Sequence, residues 1–368
     1  MNFFRFASFF TENFFDNEFS TILHEIYHVV GMATSRWDRV YDRSKNLIRP
    51  RSEVLKTTTG AKFPTEVILP LTVAWAKTYF NCPTITGVPL ENGGGSGTSG
   101  AHWDKFIMGN DMMNPSDYFN VHNSGINFVL MDDLGYYQSD ISRAEYLAWG
   151  NNAGCNIFTG TCANNPNSCT AGALLCSPDH YSTGQCKTDE LTENCAVFHE
   201  VTYGDCRIAS NKNQYTGLGV GSMTFGPGSR CVEGKIHPAQ TSEQGSCLSV
   251  SCSGTTSVTV TAAGQSIVCN AADAGTNKPI GSAGLYIKCP NVAKICEPKL
   301  QCPNDCSNGG RCLASQACWC YVGHSGADCS AYDATFRYQY ELIGADSGAI
   351  LRVLMAVVGF SFAHIFLH

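Results

Sequence analysis

Residues 24–28 of the chain read His-Glu-Ile-Tyr-His. Two histidines four apart on a helix project from one face, so His24 and His28 can both reach one metal ion. Glu25 points in a neighbouring direction, where it can touch a metal-bound water without binding the metal. Zinc would lower the pKa of that water to about 7, and Glu25 could take its proton as it attacks a peptide carbonyl. A chain with ten histidines in 368 residues carries the pattern by chance about once in a hundred cases, the false-positive risk of any short motif. The bland alternative is an exposed helix with two surface histidines, and the apolar flanks of the segment argue against it.

A catalytic zinc takes a third protein ligand and leaves one position open. In the HExxHxxGxxH pattern that ligand follows the second histidine by six residues. Gly31 fits the pattern, but position 34 is Thr34, so the third ligand must come from elsewhere. His102, His122, His180, His199 and His237 are the candidates. His199-Glu200 has no second histidine at helical spacing and reads as an ordinary surface pair.

The motif needs a helix, and residues 17–31 supply one. Phe19, Ile22, Leu23, Ile26, Tyr27 and Val30 recur at helical spacing, Asp16 or Asn17 can cap it, and Gly31 is a stop signal. Further helical patterns cover about 65–80 and 141–150. The run GGGSGTSG at 93–100 cannot pack and reads as a flexible surface loop. Residues 257–262 and 284–289 are the better strand candidates.

Apolar residues make up 43% of the chain and charged residues 15%, which excludes wholesale disorder. The net charge of −7 without a basic run argues against nucleic acid as a partner. The 20 cysteines are unevenly spread: Cys82 stands alone before residue 155, and the other nineteen lie in 155–329. Such density with an even count implies disulfides and an exported protein.

Two resemblances follow from longer blocks of residues. Cys302, Cys306, Cys312, Cys318, Cys320 and Cys329 follow C-x3-C-x5-C-x5-C-x-C-x8-C, which resembles an EGF-like module. The resemblance implies pairs 302–312, 306–318 and 320–329, while the spacing alone allows fifteen arrangements. The acidic calcium signature is missing before Cys302, so no calcium is expected. The blocks TILHEIYHVVG (21–31), AKTYFNC (76–82), GAHWDKFIMGNDMMNP (100–115) and YLAWGNNAGC (146–155) together resemble the leishmanolysin metalloproteases, peptidase family M8 of the metzincins, over about residues 17–300. In that family an insertion separates the glycine from the third histidine. The resemblance implies zinc bound by His24, His28 and His102, Glu25 as general base, and Met113 in the methionine turn beneath the metal. Gly31 would let the chain turn out of the helix.

The implied architecture is α+β. A metzincin-type catalytic region at 1–154 precedes a cysteine-rich, mostly β or irregular domain at 155–300 and the EGF-like module at 302–329. A linker at 330–348 and a hydrophobic tail at 349–368 follow. Small residues at 344–348, a spacer and an apolar tail resemble a glycolipid-anchor (GPI) signal, with a single-pass helix as the alternative. The expected location is therefore the extracellular face of a membrane, with simple secretion as the lesser alternative. The first residues, rich in Phe, make a poor secretory signal.

One departure from the family stands out: the motif helix begins about twenty residues from Met1, where the family has a propeptide and an N-terminal subdomain that holds extended substrate by β-augmentation. The chain thus reads as a truncated or shortened member. Two functions compete: a zinc endopeptidase acting on protein or peptide substrates, and a non-catalytic surface adhesion protein with a vestigial or structural zinc site. Removing the six module cysteines leaves thirteen in 155–296 plus Cys82, so Cys82 needs a partner there, and Cys155 is the candidate.

Overall fold

The computed structural model describes residues 15–116, 120–281, 284–321 and 323–333. The Phe-rich first residues fall largely outside these residues, as do the hydrophobic tail and most of the linker before it. Among the described residues, no helix is long and apolar enough to cross a membrane. The chain forms two compact units, one built from 15–78 and 83–139 and the other from 79–82 and 140–332.

The first unit opens with helix α1 (Phe15–Val30). Its inward positions bury Ser20 and Tyr27, and the Tyr27 hydroxyl donates to Asn123 Oδ1 at 3.0 Å. A short hairpin of β1 (Tyr41–Asp42) and β2 (Leu47–Ile48) follows. Strands β3 (Leu55–Thr57), β4 (Thr65–Val67) and β5 (Val88–Pro89) form a three-stranded antiparallel sheet. Helix α2 runs over Pro70–Tyr79, its last residue counting with the second unit. The helix expected at 65–80 thus starts five residues late. Residues 65–67 pair on both sides as a central strand, and Pro70 disfavours helical geometry in the residue before it while suiting the first position of a helix. The first-turn donors of α2 are met from a distance: the Asp133 carboxylate accepts from Leu71 N, Thr72 N and Thr72 Oγ1. Asp133 ends α4 (Gly125–Asp133), and a one-turn α3 (Lys105–Met108) precedes it.

The second unit carries all ten disulfides and leaves no cysteine free. Strands β6 (Leu174–Cys176), β7 (Ser182–Thr188) and β8 (Ala196–Asp205) form one antiparallel sheet. A second sheet has six strands: β9 (Ser229–Lys235), β10 (Gln244–Ser253), β11 (Ser257–Ala262), β12 (Gln265–Asn270), β13 (Asn277–Pro279) and β14 (Tyr286–Lys288), in the order 12-11-10-9-14-13. Its core joins Val232, Leu248, Val258, Val260 and Ile287 to the sulfurs of four disulfides, 176–231, 206–247, 252–296 and 269–289. Cysteines 302–329 pair as 302–312, 306–318 and 320–329 around a small hairpin.

Residues 141–150 do not form the expected helix. Only Ile141–Arg143 makes a 3₁₀ turn, and Glu145 then pairs in extended geometry with Leu313. Its buried carboxylate accepts two bonds from Arg311, which holds the segment away from helical geometry. Cys82 is bonded to Cys155. Both belong to the second unit, so the bridge lies within that unit, and the loop it closes contains His102 and Met113.

Candidate metal centre

α1 presents His24 and His28 one turn apart, and the stretch after the glycine run brings in His102. Their Nε2 atoms lie 3.0 Å (24–28), 3.1 Å (28–102) and 3.2 Å (24–102) from one another. Each Nδ1 contacts a backbone carbonyl: His24 meets Met112 O at 2.7 Å, His28 meets Met32 O at 2.7 Å and His102 meets Thr98 O at 2.8 Å. A carbonyl can only accept, so each Nδ1 is assigned the proton and each neutral ring turns an unprotonated Nε2 inward. Three lone pairs facing each other at this range repel unless a cation sits among them. Zinc–nitrogen bonds of 2.0–2.1 Å in a tetrahedron put nitrogens about 3.3 Å apart, close to the spacing seen here. Burial, with smaller contributions from His28 and His24, lowers the pKa of His102 to about 3, so its ring is neutral, the state a metal ligand needs.

The turn after α3 builds one wall of the site. Asp111 is fully buried and accepts from Met113 N, Ser124 Oγ and Asn127 Nδ2. Burial raises its pKa to about 6, with those hydrogen bonds opposing. This turn presents the Met112 carbonyl to His24, and Met113, wholly buried, returns its own carbonyl to Trp103 N. Glu25 is half-buried next to His24.

The chain leaves α1 at Gly31, where a steric constraint also acts. Its φ lies outside the left-handed range, and an added Cβ would meet Leu134 Cδ1 at 2.1 Å. The helix closes through Gly31 N and Met32 N, both donating to Tyr27 O. Glycine suits this position because the side chain of Leu134, the residue just after α4, approaches it closely.

The other candidate ligands are not in this cluster. Among the described residues, two groups of three ligand-type atoms fall within 4.8 Å, and one of them, Cys302, Cys306 and Cys318, is consumed by disulfides. The other is His24, His28 and His102. His122 is buried in the turn region, and its backbone bonds Asn110 and Met112. His180 Nδ1 meets Cys231 O. His199 and Glu200 are half-buried on β8 and so are not the expected surface pair. Burial raises the pKa of Glu200, and His199 Nε2 lies 3.8 Å from Asp189. Sequence reading missed Asp111, Asn123, Asn127 and Glu91. The available signal was their position: Asp111 lies within the block 100–115 that carries His102 and Met113, and Glu91, Asn123 and Asn127 flank it.

A family model described as Leishmanolysin, peptidase family M8, matches residues 11–213. Leishmanolysin of Leishmania donovani is 26% identical over 330 residues, covering 78% of this chain and 54% of that protein. Leishmanolysin of Leishmania major is 25% identical over 328 residues, covering 78% and 52%. The ciliated left-right organizer metallopeptidase of Danio rerio is 27% identical over 248 residues, covering 64% and 39%. The chain spans about half the length of the curated leishmanolysins it matches.

Proposed function

The chain belongs to the leishmanolysin family of metallopeptidases, and from that premise we propose that it is a zinc-dependent endopeptidase, with His24, His28 and His102 holding the metal and Glu25 as general base. The observation that carries this reading is the set of three inward Nε2 lone pairs within 3.2 Å, each ring fixed by its Nδ1 on a carbonyl. When bound, zinc supplies Lewis-acid activation of water and of the scissile carbonyl. The chain's own residues do the remaining work. Glu25 takes the proton released as water adds to the peptide carbon and delivers it to the departing amine. His102, kept neutral by burial, leaves its Nε2 available at working pH. Under this reading Met113, next to the Met112 whose carbonyl meets His24 Nδ1, is the methionine of the turn beneath the metal.

The substrates under this reading are proteins or peptides. Ten disulfides with no free cysteine support export to an oxidising compartment. The reading puts the chain on the extracellular face of a membrane, held through residues 349–368, with 302–329 as an EGF-like module. The test is hydrolysis of casein by the full chain loaded with zinc, beside Glu25→Gln. The variant is expected to retain zinc and to lose at least a hundredfold in rate. Equal cleavage by both, or none by the zinc-loaded wild type, would overturn the proposal.

A further inference from the structure

We propose that Glu91 is a positioning residue for the metal centre, holding the glycine loop whose Thr98 carbonyl orients His102. The proposal rests on the reading of His102 as a metal ligand. Thr98 sits in a run of turns, with Thr98 N and Ser99 N both donating to Gly95 O. Within this glycine-rich, half-exposed stretch the local ties on the carbonyls are few: Ala101 N donates to Thr98 O at 3.3 Å and Trp37 Nε1 to Gly100 O at 2.9 Å. Yet Thr98 O lies 2.8 Å from His102 Nδ1, and that contact decides which ring nitrogen faces inward.

Glu91 restrains both ends of the loop. The residue is 2% exposed. Oε1 accepts from Asn92 N at 3.0 Å and Gly93 N at 2.7 Å, fixing the entry. Oε2 accepts from Lys105 N at 3.2 Å, the first residue of α3 after His102. The backbone of Glu91 adds two more ties, donating to His102 O at 2.9 Å and accepting from Gly100 N at 2.8 Å. One residue therefore binds the start of the loop, its end, the ligand's own carbonyl and the helix that follows. Only a carboxylate offers acceptors on both oxygens, because glutamine would turn an amide nitrogen toward one set of backbone donors. The loop is thus a tethered arm for His102, and it is not the free surface excursion that its composition suggests.

The test compares the full chain, wild type and Glu91→Gln, in three measurements. The first is the ring ¹⁵N shifts of His102 in the metal-free protein. The second is zinc affinity against a competing chelator, and the third is far-UV circular dichroism to verify folding. Wild type is expected to show one His102 tautomer, with the proton on Nδ1. Glu91→Gln is expected to show averaged tautomers and zinc binding weakened 10- to 100-fold, with the dichroism unchanged. A single unchanged tautomer in Glu91→Gln, or zinc affinity within twofold of a tight-binding wild type, would overturn the proposal. A wild type that binds no zinc defeats the ligand reading separately, and the ring shifts of the metal-free pair still decide whether Glu91 positions His102. Should Glu91→Gln not fold, Gly95→Ala decides. Its added methyl meets no neighbour, but its φ of +84° strains the same loop. Averaged His102 tautomers there support the arm, and an unchanged ring overturns it.

Discussion

Asp133 should stabilise the first unit by capping a helix that is far away in sequence, and the size of the effect can be worked out. Asp133 is 5% exposed, and its carboxylate accepts from Leu71 N at 3.2 Å, Thr72 N at 2.7 Å and Thr72 Oγ1 at 2.8 Å. Asp133→Ala strands all three donors in a site where Thr72 is wholly buried. At about 1 kcal/mol for each lost bond, the expected destabilisation is about 3 kcal/mol. Burial raises the pKa of Asp133, so the charge has a cost of its own. Asp133→Asn, which removes that charge and keeps one carbonyl oxygen, should therefore lose only about 1 kcal/mol. Thr72→Val should also cost about 1 kcal/mol. The double variant Asp133→Ala/Thr72→Val should lose about 1 kcal/mol less than the sum of its parts, since the hydroxyl is no longer left unsatisfied. Urea unfolding of the metal-free chain, with α2 amide exchange read by mass spectrometry, measures all four. Asp133→Ala within 0.5 kcal/mol of wild type, or a strictly additive cycle, would refute the capping argument, taking 0.5 kcal/mol as about the spread expected of ordinary surface substitutions.

Two further predictions concern the surroundings of the metal centre. Gly31→Ala should destabilise the chain by about 2 kcal/mol through overlap with Leu134. Pairing it with Leu134→Ala should recover part of that in thermal unfolding, whereas a fully additive pair would point to a backbone cause. Asp111, held at about 6 in the fold against 3.8 unfolded, favours the folded state when protonated. Its contribution is complete below about pH 4 and lost as pH rises through about 6, a change of about 3 kcal/mol. The stability of Asp111→Asn relative to wild type should therefore rise by that amount from pH 4 to pH 7 in metal-free urea titrations, and a flat difference would show that burial does not control this carboxyl.

The parts of the site legible in the sequence are those set by local geometry. His24 and His28 declare themselves because four residues on a helix is a fixed direction in space. His102 lies 74 residues beyond His28, a distance that no periodicity bridges, and it stood out from four other histidines only through the residue blocks around it. Asp111, Glu91 and Asp133 were invisible for a common reason. An acid beside a turn or glycine run is usually solvated, and only long-range burial converts it into a clamp. Secondary structure failed where tertiary partners override local pattern. Thr65–Val67 is claimed by two neighbouring strands, and Glu145 is drawn into extended pairing by Arg311. The strand at 257–262 was legible because its alternation of buried and half-buried residues has the two-residue period of a sheet.

The central claim is that three imidazoles of this chain converge on one zinc ion. X-ray absorption at the zinc edge of the loaded full-length protein tests it most directly. The account predicts three imidazole nitrogens at about 2.0–2.1 Å and one further non-imidazole ligand. A site with two imidazoles or fewer, or with sulfur in the coordination shell, would contradict it.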